Sequence, residues 1–154
     1  MDSAAANGLV SCSQSREGVN RAKGLIRLRV GSWNIGSLTS KSIELVRILK
    51  KRKVHIACVQ ETKWVGSKFR EVDGFKLWYS GVSRSSNGVG ILVEGDLREY
   101  VVDVKRVSDR LMSIKLVVAG CVMNVVSAYA PQVGLGEDIK KQFWDELDEL
   151  VRSF

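Results

Sequence analysis

Proline is almost absent from this sequence, since Pro131 is the only one among 154 residues. A proline-rich linker is therefore excluded, and the length allows one domain with a sizeable hydrophobic core. The longest apolar run is far shorter than the ~20 residues that a membrane-spanning helix needs. We therefore expect no transmembrane helix and no membrane partner.

Cysteine is also scarce, with three residues that form no spaced motif. Cys58 and Cys121 fall in apolar runs that are typical of strands, so we expect buried free thiols in a reducing compartment. Residues 1–24 lack both hydrophobic periodicity and the apolar core of a signal peptide, which predicts a disordered leader and argues against secretion. The expected location is intracellular, either nuclear or cytoplasmic.

Positive charge, in contrast, is plentiful. The sequence has 24 lysines and arginines against 17 acidic residues, a net charge of +7. Such a charge suits an anionic partner, with nucleic acid the first candidate, although many soluble domains are mildly basic for solubility alone. The basic run at residues 50–53 has two possible roles. Helix capping together with solubility is favoured over a DNA-binding patch.

A strand, a helix and a second strand are predicted at the beginning of the domain. The first strand alternates apolar and polar residues and ends at Asn34, and Thr39 or Ser40 can cap the helix that follows. A nearly continuous apolar run over residues 54–59 then ends at Glu61, which is typical of a strand covered on both faces. Such a crossover predicts two strands that are parallel or that lie in the same sheet. Asn34 and Glu61 would then lie at the same sheet edge, where they could share a cation.

The remainder of the sequence predicts short strands and one last helix. Residues 64–73 are interpreted as a loop, and strands are predicted over residues 75–80, 88–94, 100–107, 111–118 and 121–130. Their short spacing favours antiparallel neighbours. After Pro131 and a glycine-rich loop, an amphipathic helix is predicted, with Phe143 and Leu150 on its apolar stripe.

Four short motifs, in this order, resemble the endonuclease/exonuclease/phosphatase superfamily. They are Trp33-Asn34-Ile35, Gln60-Glu61-Thr62-Lys63, Asn87-Gly88-Val89-Gly90-Ile91 and Tyr129-Ala130-Pro131. Each motif is weak alone, but the set at this spacing is specific. The segments 60–64, 108–112 and 127–132 look most like one branch of that superfamily. This branch holds the apurinic-type endonuclease domains of non-LTR retrotransposons and the craniofacial development protein 2-like proteins.

The resemblance covers residues 25–154 and implies a four-layer α/β sandwich, two mixed sheets with helices outside. This chain would be its N-terminal part, with the C-terminal portion missing. The resemblance also implies Mg²⁺-dependent hydrolysis of phosphodiesters. Glu61 would bind the metal, Asn34 would lie beside it to orient a metal-bound water or the phosphate, and Tyr129 would hydrogen-bond the scissile phosphate.

Elementary chemistry agrees with these roles, because Mg²⁺ prefers oxygen ligands and keeps several waters, so one glutamate with a nearby amide is a plausible half-site. Without the resemblance, each residue has a simpler explanation. Glu61 would be a solvated strand end, Asn34 a turn former, and Tyr129 an aromatic residue at the rim of a sheet.

Two further motifs of the family, Gly-Asp-x-Asn and Ser-Asp-His, do not occur in the sequence, and its only histidine, His55, stands in the wrong context for a general base. The leading hypothesis is therefore a fragment of a Mg²⁺-dependent DNA endonuclease of the retrotransposon-derived type, inactive alone and with weak or absent metal binding. Whether it is an enzyme is left open. One alternative is a non-catalytic nucleic-acid-binding or vestigial module, and another is a different phosphodiesterase or phosphatase of the same superfamily.

Overall fold

The computed structural model describes residues 8–14 and 27–154. This described part contains nine strands and two α-helices, with a short 3₁₀ helix at Arg98–Tyr100. The strands are β1 (Gly8–Gln14), β2 (Val30–Asn34), β3 (Ile56–Gln60), β4 (Phe69–Val72), β5 (Phe75–Ser80), β6 (Val89–Glu94), β7 (Val101–Arg106), β8 (Leu111–Val118) and β9 (Cys121–Ala128). The helices are α1 (Ser42–Lys51) and α2 (Glu137–Arg152).

The strands form two sheets that pack face to face. One sheet has the order β2-β3-β6-β5-β4, and the other has the order β1-β9-β8-β7. The core between them includes Cys58 and Ile91 from the first sheet and Met112, Ile114 and Val125 from the second. Alternation along each strand sends every second side chain into this core and the others to the outer face.

Each outer face is covered by a helix. Leu45, Val46 and Leu49 of α1 pack on the five-stranded sheet, where they meet residues such as Val59 and Leu77. On the other side, Leu150 of α2 packs against Leu111 and Val126 of the four-stranded sheet. The order helix, sheet, sheet, helix is the four-layer α/β sandwich that the sequence predicted.

The crossover at the beginning of the domain is also as predicted. Strands β2 and β3 are parallel neighbours, and Asn34 pairs in register with Gln60. Parallel strands end at the same sheet edge, so Asn34 and the residue after Gln60, Glu61, lie on neighbouring strand ends. Strand β5, two places from β3 in the same sheet, and strand β9 of the other sheet also end at this edge, where Val89 begins β6 and Leu111 begins β8.

Two strands appear where the sequence predicted none. Strand β1 lies in the segment that was expected to be a disordered leader, and it pairs antiparallel with β9 from Gly8 to Gln14. An edge strand is held by backbone hydrogen bonds, so it needs no hydrophobic periodicity of its own. The other residues before 27 lie outside the described part. Strand β4, in the predicted loop, is likewise an edge strand, and three of its four residues are exposed.

Two local predictions are wrong. Helix α1 has Lys41 as its N-cap, without a side-chain cap bond, because Ser40 adopts a left-handed backbone conformation in the preceding turn. Cys58 is a buried free thiol as expected, but Cys121 is disulfide-bonded. An apolar run does not reveal whether a second sulfur lies within bonding distance. In the part of the chain that the structure describes, neither helix is both long and apolar enough to cross a membrane.

Candidate functional site

Glu61 and Tyr129 meet where β3 and β9 end. The Tyr129 hydroxyl donates a hydrogen bond to Oε1 of Glu61, which joins the ends of strands from different sheets. Glu61 has a left-handed backbone, with φ of 58°. That conformation costs a residue with a Cβ of the order of 1–3 kcal/mol and recurs at functional sites. The turn aims the carboxylate at the tyrosine.

Tyr129 is held from several sides and is only 8% exposed. Its hydroxyl oxygen accepts a hydrogen bond of 2.7 Å from Nε2 of Gln132, three residues further along the chain. Arg110, which precedes β8, places its guanidinium 5.1 Å from the centre of the tyrosine ring. Arg110 also donates to the Tyr129 carbonyl at 3.2 Å, and its own carbonyl accepts the Tyr129 amide at 2.8 Å. The phenol is therefore fixed in position and orientation.

The environment raises the pKa of the Tyr129 hydroxyl above its ordinary value of 10.0. Burial is the largest cause, because it disfavours the phenolate, and the hydrogen bond to Glu61 adds to it. Gln132 and Arg110 oppose the shift, since each stabilises the phenolate. At neutral pH, Tyr129 is thus a neutral hydrogen-bond donor.

Asn34 occupies the neighbouring strand end. Its Oδ1 accepts a 3.1 Å hydrogen bond from the backbone amide of Gly36, two residues further on. This is the local turn bond that asparagine commonly forms. The structure thus brings Glu61 and Tyr129 into direct contact and places Asn34 one strand away, with its carbonyl oxygen turned towards its own backbone.

The segment after Glu61 is packed against two other motif segments. Backbone amides of Thr62 and Lys63 donate to the carbonyls of Gly88 and Asn87, at 3.1 and 2.9 Å. The Gly88 amide in turn donates to the Asp109 carbonyl at 2.9 Å, and Nδ2 of Asn87 donates to Oδ2 of Asp109 at 3.0 Å. Motifs far apart in sequence are therefore one hydrogen-bonded cluster.

Gly88 is required in this cluster for two reasons. Its φ is 94°, in the left-handed region that favours glycine. A Cβ at this position would also lie 2.3 Å from Oγ1 of Thr62, a side chain that is itself fully buried. The glycine allows the two backbone segments to approach each other and so sets the position of the turn that carries Glu61.

A buried polar bridge supports the site from below. Nε2 of Gln60 donates to the hydroxyls of Ser32 and Ser127, at 3.2 and 3.4 Å. The Ser127 hydroxyl donates to the carbonyl of Val59 at 3.1 Å, so this bridge joins the two sheets. Neither this bridge nor the role of Gln132 was predicted from the sequence. The sequence signals that could have indicated the bridge are Gln60 and Ser127, two polar residues at the ends of apolar strands.

Several oxygen atoms at this edge suit a hard divalent ion, but the set fits only in part. Glu61 supplies one carboxylate and Asn34 one amide oxygen, whereas no three Asp, Glu, His or Cys residues cluster as a metal site anywhere in residues 27–154. His55 lies at the opposite end of β3. There its Nδ1 accepts the Arg29 amide at 2.9 Å and its Nε2 is 3.9 Å from Glu94.

Comparisons with known proteins agree with the fold described above. Residues 31–154 match the Endonuclease/Exonuclease/phosphatase family. The chain is similar to craniofacial development protein 2 of Bos taurus, with 25% identity over 124 residues, 79% of this chain and 21% of that protein. It is also similar to the solved structure of an AP endonuclease from Archaeoglobus fulgidus. There the identity is 30% and the TM-score 0.61, over 80% of this chain and 50% of that one.

The chain thus spans half of the length of the archaeal structure and about a fifth of the bovine protein. The family match nevertheless covers most of this chain, including Asn34, Glu61 and Tyr129. The two sheets and their two covering helices match the family fold, as the partial domain that the resemblance implied. The chain belongs to the Endonuclease/Exonuclease/phosphatase family.

Proposed function

We propose that this chain is a nucleic-acid-binding family member that carries half of a Mg²⁺-dependent phosphodiesterase site and does not cleave DNA by itself. The observation that carries the proposal is the hydrogen bond between Tyr129 and Glu61 at the shared edge of the two sheets. A strained, half-buried carboxylate beside a fixed neutral phenol is an arrangement suited to a phosphate and its counterion. Residues 25–154 would form the N-terminal part of the family domain.

Each residue of the half-site has a role that follows from its contacts. Glu61 is the proposed Mg²⁺ ligand, with Asn34 beside it. The ion, when bound, would neutralise charge on the phosphate in the transition state. The oxygen of Asn34 already accepts the Gly36 amide, so its Nδ2 group is the part best suited to a phosphate oxygen.

Tyr129 is the proposed phosphate donor. A phenol has one proton to donate, and in this structure it goes to Glu61. A phosphate oxygen would compete with the carboxylate for that proton. Because Gln132 donates to the same hydroxyl oxygen, the phenol would stay in the same position whether its proton goes to Glu61 or to a phosphate. Tyr129 and Gln132 thus form a positioning pair beside the metal ligand.

The lack of turnover follows from what surrounds Glu61. A general base must lie within hydrogen-bond reach of the proton that it removes. The only histidine of the sequence, His55, is bonded at the other end of β3. A single carboxylate also predicts weak Mg²⁺ binding, because an ion held by only one carboxylate depends on substrate phosphates to complete its ligands.

DNA is the proposed nucleic acid, and the retrotransposon-derived type is the proposed branch. The similarity to a protein titled AP endonuclease supports DNA, and the similarity to craniofacial development protein 2 supports the branch. The net charge of +7 agrees with either nucleic acid. A nuclear or cytoplasmic location would go with such a partner.

A plasmid-nicking assay in Mg²⁺ tests this proposal. The 154-residue chain is expected to bind supercoiled plasmid, in a salt-sensitive way, and to leave it uncut. Robust nicking that disappears in Glu61→Ala would overturn the proposed lack of turnover, whereas nicking that persists in Glu61→Ala would point to a contaminating nuclease. Failure to bind DNA at low salt would overturn the nucleic-acid assignment.

A non-catalytic module is the second candidate. It is favoured by the internal bonds of the half-site, since Oδ1 of Asn34 and the proton of Tyr129 are both engaged within the chain. In that case Mg²⁺ would have no effect on DNA affinity beyond its contribution to ionic strength. Both candidates predict that DNA stays uncut, so it is the effect of Mg²⁺ on DNA affinity that distinguishes them.

A further inference from the structure

A cavity of about 420 Å³ opens between the beginning of α1 and the segment after β3, and Lys63, two residues after Glu61, belongs to its lining. Three cationic side chains line it, Lys63, Arg70 and Arg84, and no carboxylate does. Among residues 27–154, none of the three takes part in an ion pair. Uncompensated positive charge in a concave site concentrates anions there. We call this the basic cavity.

The basic cavity is partly preorganised. Lys63 lies two residues after Glu61, and its backbone amide is fixed to the Asn87 carbonyl at 2.9 Å. The guanidinium of Arg70 lies 4.5 Å from the centre of the Trp64 ring, and that ring packs edge to face with Tyr79, with 5.3 Å between their centres. A stacked guanidinium is restricted in orientation, so it loses less freedom when it binds a phosphate.

The basic cavity also continues away from the half-site. A second cavity, of about 540 Å³, shares Trp64 and Arg70 with the first and adds Arg47. Two carboxylates line this second cavity, Glu71 and Asp73. Both are paired with cations, at 2.9 Å from Arg98 and 2.9 Å from Lys50 respectively. A basic path along the surface suits a chain of phosphates better than a single small anion.

We infer that the basic cavity binds a backbone phosphate of the same nucleic-acid strand that reaches Glu61 and Tyr129. This inference rests on the proposed function, because it takes the half-site to engage a phosphodiester. Lys63 would link the two sites, and Arg70 and Arg84 would contact the phosphate next along the strand. Arginine is suited to this contact, since its planar group can donate two parallel hydrogen bonds to phosphate oxygens.

The salt dependence of DNA binding tests the inference. The affinity for a short fluorescein-labelled DNA duplex would be measured by anisotropy, in EDTA, over a series of salt concentrations. The logarithm of the binding constant falls linearly with the logarithm of the salt concentration, and each lost phosphate contact makes that slope shallower by roughly 0.9. We therefore expect the double variant Arg70→Gln/Arg84→Gln, which loses both contacts to one phosphate, to make the slope shallower by about 0.9, and to weaken binding at every sequence tested.

A matched variant separates a specific contact from loss of charge. Lys51→Gln/Lys141→Gln also removes two positive charges, from exposed positions outside the basic cavity. Its slope is expected to change by less than half as much. Arg70→Lys/Arg84→Lys keeps the charges and is expected to keep most of the slope, with circular dichroism to confirm that all three variants fold.

The inference is overturned if both glutamine variants lower the slope equally, or if neither does. It is also overturned if inorganic phosphate competes with the duplex as strongly as an unlabelled oligonucleotide does, because the site would then serve a small anion. The salt series is measured in EDTA, where no free Mg²⁺ is present, so it does not depend on turnover. Failure of the plasmid-nicking prediction, which concerns turnover, therefore leaves this binding measurement unaffected and can be told apart from it.

Discussion

The hydroxyl of Tyr129, at the end of β9, donates a hydrogen bond to the carboxylate of Glu61, at the end of β3. The two residues lie 68 positions apart in sequence, and their strands belong to different sheets. The contact therefore exists only when the sandwich has closed. It makes the candidate site a property of the packing of two sheets and not of one motif.

The first prediction concerns the ionisation of Tyr129. Its pKa is raised by burial and, in second place, by the bond to Glu61. Glu61→Gln keeps a hydrogen-bond acceptor but removes the negative charge, so we expect the pKa to fall part of the way back and to remain above the ordinary value. Ultraviolet titration, with Tyr129→Phe subtracted to isolate this phenol, measures the change. An unchanged or higher pKa in Glu61→Gln would contradict the assignment.

The raised pKa has a consequence for stability. Folded Tyr129 holds its proton more tightly than the unfolded chain does, so its contribution is fully present below pH 10, the ordinary value. It is lost as the pH rises from there through the raised pKa of the folded state. Denaturant unfolding of the wild type and Tyr129→Phe should therefore show a difference in free energy of unfolding that shrinks at alkaline pH. A difference independent of pH would contradict this linkage.

The second prediction concerns the glycine beneath the half-site. Gly88→Ala is expected to lower the free energy of unfolding by about 2–4 kcal/mol, since it combines backbone strain with a clash against Thr62. Gly31→Ala is the control. Its Cβ would meet only ordinary contacts, at 3.6 Å from Trp33 and 3.7 Å from Val54. Its effect should be below about 1 kcal/mol. Equal effects in urea unfolding would contradict the close approach at Gly88.

The third prediction concerns the polar bridge between the sheets. Ser127→Ala would remove the donor to Val59 and an acceptor of Gln60, both in the buried interior. We expect a loss of about 1–3 kcal/mol, which is typical when a buried polar group loses its partner. Ser113→Ala is the comparison, because Ser113 is also buried but lies outside the bridge, on the neighbouring strand β8. A smaller loss for Ser127→Ala than for Ser113→Ala would show that the bridge is dispensable.

The fourth prediction concerns the free thiol. Burial raises the pKa of Cys58 to about 12, so the reactive thiolate is almost absent at neutral pH. The native wild type and the Cys58→Ala variant should therefore react equally with a thiol reagent, and should differ by one thiol once unfolded in denaturant. Rapid labelling of Cys58 in the native protein would show that the core between the sheets opens readily.

Much of the fold could be predicted because its strands carry strong local patterns. Residues 75–80 and 111–118 were assigned to the residue, as β5 and β8, since apolar runs end at clear turns. Strands β1 and β4 were missed because edge strands owe their stability to a partner's backbone and need few apolar side chains. Backbone pairing between segments that are distant in sequence produces no hydrophobic periodicity in either segment.

The site was predicted only as a set of separate residues. Motifs indicated Glu61, Asn34 and Tyr129, but not that Tyr129 gives its proton to Glu61 or that Asn34 bonds its own turn. Gln132 was missed because its role depends on where the chain goes after Pro131. Such contacts depend on the directions of side chains at strand ends. The spacing of motifs along the sequence does not determine those directions.

If Glu61 holds a divalent ion against a bound phosphate, Mg²⁺ must strengthen the binding of DNA. The effect of Mg²⁺ on DNA affinity is therefore the decisive measurement. Anisotropy with a labelled duplex would compare the wild type with Glu61→Gln, with and without Mg²⁺ at constant ionic strength. We expect Mg²⁺ to tighten DNA binding by the wild type and to leave the affinity of Glu61→Gln unchanged. An equal response of the two proteins would contradict it.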